Sequence, residues 1–353
     1  MATLTPASAV CPRATRDSCA AIANPNPQAA IARLRAYKPP PTQYLNLPLA
    51  RRAAVLILLF ADKRGDLRVV LTMRAAGMNT YAGHAALPGG RADALSETPF
   101  QTARREAFEE IGLPLSPTAL PPPFRIEHLC QLPANLARTE LGVRPCVAYL
   151  AADRSPAAVT AEDVLIPRPS AQEVAAVFTA PFRGFLSADA ETGASAGEEE
   201  AGAEAAGFPA TWYRGVWTDW HESRWRMHNF YVPVRRRSVA RPRVRAAAEE
   251  EEERPRKRPR RAAAVAAESA IKGARGDGDP LADLERFRVF GMTARILVDA
   301  ARVAYDEEPQ FEHNSHFGDE DMIARLLKMG RLSPERKKGD VLTREVLKEA
   351  AKL

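Results

Sequence analysis

The sequence predicts an α+β fold in which a mixed β-sheet is sandwiched between helices (α/β/α), with disordered insertions. Two short apolar runs of strand length, Ala53–Phe60 and Leu67–Met73, come early. A helix-like stretch, Thr98–Ile111, then separates them from further strand-like runs, and a late segment, Leu281–Tyr305, again has helical spacing. The 353 residues suffice for two average domains or for one with large insertions. Apolar residues make up 46%, enough for a core, while 29 prolines and 20 glycines point to long irregular stretches.

Residues 1–26 begin Ala/Thr/Pro-rich and read as a disordered N-terminus. Pro27–Tyr37 carries Ala30, Ile31, Leu34 and Ala36 at helical spacing and is stopped by Pro39–Pro41. Ala53–Phe60 reads as a buried strand, Lys63–Asp66 as a turn and Leu67–Met73 as the returning strand. Thr98–Ile111 is a helix with Gly112 in the C-cap position. Leu129–Leu132, Val143–Leu150 and Trp225–Val234 read as further strands. Leu284, Phe287, Phe290, Ile296, Leu297 and Ala300 give Leu281–Tyr305 its helical period. Two low-complexity insertions interrupt this order, at about residues 189–207 and 235–280. They carry too few apolar residues to offset chain entropy. The folded domain therefore spans 27–305, and 306–353 is a C-terminal tail whose end, Arg344–Lys352, reads as an exposed helix.

Composition excludes several classes. The longest apolar run, Ala53–Ala61, is far too short to span a bilayer. Cys11, Cys19, Cys130 and Cys146 form no CxxC pair and are too sparse for a disulfide scaffold, so Cys130 and Cys146 read as buried small hydrophobes. The net charge of +6 is concentrated in a basic tract, Arg254–Arg261, that could bind phosphates or an import receptor. Five adjoining glutamates, Glu249–Glu253, neutralise much of its field and no aromatic residues interleave it, which argues against nucleic acid as the main partner. The cluster Trp217, Trp220 and Trp225 reads as core and edge packing.

The chemistry sits between Leu87 and Leu113. A helix places Glu106, Glu109 and Glu110 on one face, where three like charges are unfavourable unless a multivalent cation joins them. Oxygen ligands without His or Cys select Mg²⁺ or Mn²⁺ over zinc. Gly89-Gly90 allows a tight loop that brings backbone close to metal or phosphate. Arg105 is placed to hold Glu97 by a bidentate bond, bracing loop against helix. Such parts suit metal-assisted hydrolysis of a phosphoanhydride.

This stretch resembles the Nudix signature, G-x5-E-x7-R-E-U-x-E-E-x-G-U with U aliphatic. Six residues rather than five separate Gly90 from Glu97; from Glu97 onward the spacing fits through Arg105-Glu106, Glu109-Glu110, Gly112 and Leu113. Seven fixed letters coincide by chance about once in 10⁸ starts. The resemblance implies a Nudix fold, catalytic Arg105, Glu106, Glu109 and Glu110, and Mg²⁺ or Mn²⁺ at Glu106, Glu109, Glu110 and Gly90.

Upstream, Leu71-Thr-Met-Arg74 and Gly83-His-Ala-Ala-Leu-Pro-Gly-Gly90 resemble the coenzyme A diphosphatase branch, with His84, Ala85 and Leu87 where its pattern has Gln, Val and Phe. Glu173–Phe178 before Pro181 and Val289–Arg295, with Phe290 in place of Trp, resemble two later elements of that branch. The implied substrate is coenzyme A or an acyl derivative, cleaved to adenosine 3′,5′-bisphosphate and 4′-phosphopantetheine. Arg74, Arg91 and Gly89 are the candidate substrate-binding residues, and Glu97 and Glu173 the supporting carboxylates. Oxidised nucleotides such as 8-oxo-dGTP, or NADH, are the alternative substrates for the same chemistry. Ala351-Lys352-Leu353 resembles the Ser-Lys-Leu address read by the peroxisomal import receptor. The expected location is thus the peroxisome, ahead of cytoplasm, nucleus or, from the Arg13/Arg16-bearing N-terminus, mitochondrion.

Overall fold

Strand β1 (Arg52–Ala61) organises the fold because its side chains alternate between two packed faces. Ala54, Leu56, Leu58 and Phe60 lie against Ala103, Ala107 and Ile111 of helix α2 (Pro99–Ile111). Ile57 and Leu59 lie in the opposite cluster with Ala30 and Leu34 of α1 (Pro27–Ala36) and Ile296 and Leu297 of α3 (Gly291–Tyr305). Burial on both faces accounts for the unbroken apolar run. The computed structural model describes residues 27–75, 83–152, 169–170, 173–189, 211–220, 223–234, 239–242, 284–334 and 342–352.

The main sheet has the order β3 (Ala85–Ala86), β2 (Leu67–Arg74), β1, β7 (Gly142–Ala152), β5 (Phe124–Gln131). To it are added β4 (Gly89–Arg91) on β1, β6 (Asn135–Leu136) on β7 and β8 (Val174–Pro181) on β2. β1 and β7 run parallel and the other pairings are antiparallel, so the sheet is mixed as expected. The β1–β2 hairpin closes where the Asp62 carboxylate accepts the backbone N–H groups of Arg64 and Asp66 at 2.8 and 3.0 Å. A second, antiparallel sheet, β9 (Tyr213–Trp220), β10 (Ser223–Pro233) and β11 (Arg286–Phe290), contributes Phe230, Val232, Phe287 and Val289 to the α1/α3 side of the core. No helix among the described residues is long and apolar enough to cross a membrane.

Several sequence expectations are corrected. The run read as one helix over 281–305 is strand β11 followed by α3; Phe287 and Val289 are buried at a period of two, and the helix begins only at Gly291. β5 starts at Phe124 rather than 129, because Arg125, Glu127 and His128 dilute its apolar pattern. β8 and β9 were not expected as strands. Inside the anticipated 235–280 insertion, Ala240 exchanges backbone hydrogen bonds with Val177 at 2.7 and 2.9 Å, so residues 239–242 belong to the fold. The rest of that insertion and nearly all of 189–207 lie outside the described residues, as do 1–26, the basic tract, Cys11 and Cys19. Cys130 and Cys146 are buried free thiols. Trp217 is exposed on β9 beneath the Arg226 guanidinium, while the side chains of Trp220 and Trp225 lie outside the description.

The C-terminal segment is docked rather than exposed. Helices α4 (Glu320–Lys328) and α5 (Arg344–Ala351) close over Tyr44, Leu47, Ala134 and Leu136 with Ile323, Leu326, Leu347 and Ala350. The two acids at the start of α4 make the junction specific. Glu320 accepts from Thr42 Oγ1 at 2.8 Å, from the N–H groups of Gln43 and Ala134 at 2.7 Å each, and from Arg144 Nη1 at 2.9 Å. Asp319 accepts from Arg295 Nη1 at 2.9 Å and from the Leu136 N–H at 2.8 Å. The amphipathic pattern of α5 left its inner face unread, since Glu345, Lys348 and Glu349 dominate the sequence.

Candidate active site

Helix α2 is defined at both ends by local chemistry. The Thr98 hydroxyl accepts the Gln101 N–H while the Gln101 side chain accepts the Thr98 N–H, a reciprocal cap typically contributing about 1 kcal/mol. Gly112 ends it in the left-handed conformation at φ 72°, which glycine adopts without strain. Between these ends the helix turns its acidic face toward the β4 turn.

Two glycines let that turn come close. A Cβ on Gly90 would lie 2.5 Å from the Glu106 carboxyl, and one on Gly89 2.7 Å from Val55 Cα. The Gly89 N–H donates to Glu110 Oε2 at 3.3 Å. β4 itself is held by Ala53–Val55 of β1, so strand, turn and helix are registered against one another.

Arg105 joins them by a fan of bonds in place of the expected bidentate pair. Nε donates to Glu97 Oε1 at 3.0 Å, Nη2 to the Arg91 carbonyl at 2.7 Å, and Nη1 to Glu106 Oε1 at 3.1 Å and Glu109 Oε2 at 3.2 Å. The extra loop residue therefore does not displace Glu97, whose other oxygen accepts the Asp93 N–H at 2.9 Å. Partial burial alone would raise the Glu97 pKa, but the hydrogen bonds from Arg105, Asp93 and Thr102 hold it below the usual carboxylate value.

The three helix carboxylates are graded in depth. Glu110 is 5% exposed, Glu106 is half-buried and the Glu109 side chain is 48% exposed. Burial pushes Glu110 up to about 8; the Gly89 N–H and Arg74 oppose this, while Glu106 and Glu173 reinforce it. Burial likewise raises Glu106, against the pull of Arg105. Glu173 sits at the head of β8, where its carbonyl accepts the Ala75 N–H at 2.9 Å, and its charge reaches both buried glutamates. Arg91 is exposed and contributes its carbonyl to the brace. Arg74 stands on the β2 side, near enough to lower Glu110.

As arranged, no three acidic, histidine or cysteine side chains among the described residues converge on one point. Arg105 Nη1 lies between Glu106 and Glu109 and serves as their counter-ion. The donors still fit a hard dication: all are carboxylate oxygens, and Glu106 and Glu109 share a single guanidinium nitrogen as counter-charge. Glu106, Glu109 and Glu110 are the side chains that would hold it. One residue escaped the sequence reading altogether. Arg288 of β11 reaches the Arg74–His84 edge, and no motif letter marks it.

Comparison with known proteins matches the NUDIX domain family over residues 50–130. Peroxisomal coenzyme A diphosphatase 1 of Saccharomyces cerevisiae is 41% identical over 127 residues, covering 35% of this chain and 37% of that protein. From Arabidopsis thaliana, Nudix hydrolase 15, mitochondrial, is 38% identical over 136 residues (38% and 42% coverage). Nudix hydrolase 22, chloroplastic, of the same plant is 40% identical over 136 residues (38% and 39%). The chain spans less than half the length of these curated relatives. The acidic helix, its glycine turn and the arginine that ties them all fall inside the matched span, so residues 50–130 of the chain carry a NUDIX domain.

Proposed function

We propose that this chain hydrolyses the pyrophosphate bond of coenzyme A or its acyl derivatives, with Mg²⁺ or Mn²⁺, to adenosine 3′,5′-bisphosphate and 4′-phosphopantetheine. The observation that carries the reading is the joined acidic face and glycine turn: the Glu106 carboxyl lies against Gly90, Glu110 receives the Gly89 N–H, and Arg105 ties Glu106 and the Arg91 carbonyl to Glu97. The bound dication would supply charge neutralisation of the diphosphate and a more acidic water. The chain's own residues do the rest. Glu106 and Glu110, largely withdrawn from water and so more basic than ordinary carboxylates, would be suited, once ionised beside the dication, to take a proton from a nucleophilic water. Glu173, whose charge acts on both, would share that task, and Arg74, which acts on Glu110, carries a charge complementary to a phosphate.

The choice of coenzyme A is supported by the likeness to the yeast coenzyme A diphosphatase and by the Arg74 and Gly83–Gly90 segments. The relatives' names divide among peroxisome, mitochondrion and chloroplast, and the likeness to the yeast peroxisomal protein favours the peroxisome for this chain. Mass spectrometry after incubation with coenzyme A and Mg²⁺ should find the two named products. Faster turnover of NADH or 8-oxo-dGTP, with coenzyme A left intact, would reassign the substrate.

Gly90→Ala tests the geometry without removing any polar group. The added methyl would displace the Glu106 carboxyl, and a shift of about 1 Å at a reacting centre costs on the order of 10²-fold in turnover. A variant with wild-type kcat would show that Glu106 need not sit where it does.

A further inference from the structure

Two side chains at the β2–β3–β11 edge, Arg288 and His84, stand next to Arg74 and are used by no step above. The Arg74 N–H donates to the His84 carbonyl at 3.1 Å and the Arg74 carbonyl accepts the Gly83 N–H at 3.1 Å, which fixes the two residues side by side. The His84 ring meets Phe290 edge-on, with centroids 4.7 Å apart. Arg288, two residues before Phe290 on β11, lays its guanidinium over the same ring at 4.0 Å. Burial first, and then Arg288 and Arg74, disfavour protonation of His84, which places both arginines within electrostatic reach of its ring.

Arg288 is the unusual member. No carboxylate among the described residues pairs with it, and its Nε is sealed from solvent with no hydrogen-bond partner. A half-buried cation beside a second arginine is unfavourable until an anion joins it. A guanidinium laid flat on an aromatic ring keeps its N–H edge free for a forked bond to phosphate.

Building on the coenzyme A reading, we infer that Arg288, with Arg74 and His84, forms a subsite for a phosphomonoester that the substrate carries in addition to its pyrophosphate, and that Arg288 sets the preference for nucleotides bearing it. Coenzyme A has such a group on its ribose; NADH does not.

Calorimetric titration of the full chain with adenosine 3′,5′-bisphosphate and with adenosine 5′-monophosphate isolates that one group. Charge-assisted hydrogen bonds of this kind correspond to about tenfold or more in affinity, so the bisphosphate should bind at least about tenfold more tightly. Arg288→Gln should bring the two affinities together by weakening the bisphosphate alone. Arg288→Lys, which keeps the charge and loses the fork, should fall between them with an unchanged melting temperature. Equal affinities in the wild type, or a loss in Arg288→Gln that is the same for both ligands, overturns the subsite. The wild-type comparison decides even where a variant does not fold. Turnover is scored separately: Arg288-dependent bisphosphate binding with coenzyme A left uncleaved would sink the diphosphatase reading and leave the subsite standing.

Discussion

Glu110→Gln is expected to lower turnover by roughly 10²–10⁴-fold, the range for losing a proton-transferring or charge-holding carboxylate, and at the same time to make the metal-free protein more stable. The two effects have one origin. Glu110 is buried at the end of α2, with only a backbone N–H and the more distant Arg74 in its favour. Its folded-state pKa, near 8, lies above the ordinary value of 4.5. A group raised on folding contributes stability below its unfolded pKa, and that contribution is lost as pH climbs through the folded one. The metal-free wild type should therefore weaken between about pH 4.5 and pH 8, by an amount on the order of a few kcal/mol. Denaturant titrations across that window should show the slope in the wild type and its absence in the glutamine variant. Mg²⁺ or Mn²⁺ should flatten the wild-type slope, because a dication favours the ionised carboxylate. An active variant, or one that melts lower at pH 8, would remove Glu110 from the site.

Glu320→Ala carries the largest expected loss of stability, about 3–5 kcal/mol, because it strands Arg144 without its counter-ion. The Arg144 side chain is only 4% exposed, and the same carboxylate also holds Thr42, Gln43 and Ala134. For a domain of this size such a loss lowers the melting temperature by roughly 6–20 °C. Glu320→Gln keeps two acceptor positions' worth of shape and one carbonyl, so it should fall in between. A melting curve unchanged by alanine would return residues 306–353 to the status of a dispensable tail.

These two residues illustrate what the sequence makes legible. Glu110 was readable because everything that defines α2 is local: the Thr98/Gln101 cap, the periodic Ala103, Ala107 and Ile111, and the terminal Gly112. The Arg105–Glu97 contact was readable too, since only seven residues separate a loop acid from a helix base. The bond from Arg105 to the Arg91 carbonyl was not, because residue type says nothing of where a backbone oxygen will point. Glu320 looked like one more charge at a surface helix start; its partners at 42–43, 134 and 144 are brought to it only by the packing of α4. Arg288 was hidden differently, inside a β11 pattern that merges in sequence with the helix that follows. Local signals gave the chemistry, and long-range pairing gave the surroundings that tune it.

Helix α3 packs in the cluster that buries one face of β1 and β2, yet it is encoded more than 200 positions after them. During synthesis the early hairpin must wait, with Ile57, Leu59, Val69 and Leu71 uncovered, until residues 291–305 emerge. A nascent chain halted near residue 280 should be a preferred client of chaperones, and shortened transcripts ending there should yield insoluble protein even though every residue of the acidic helix is present.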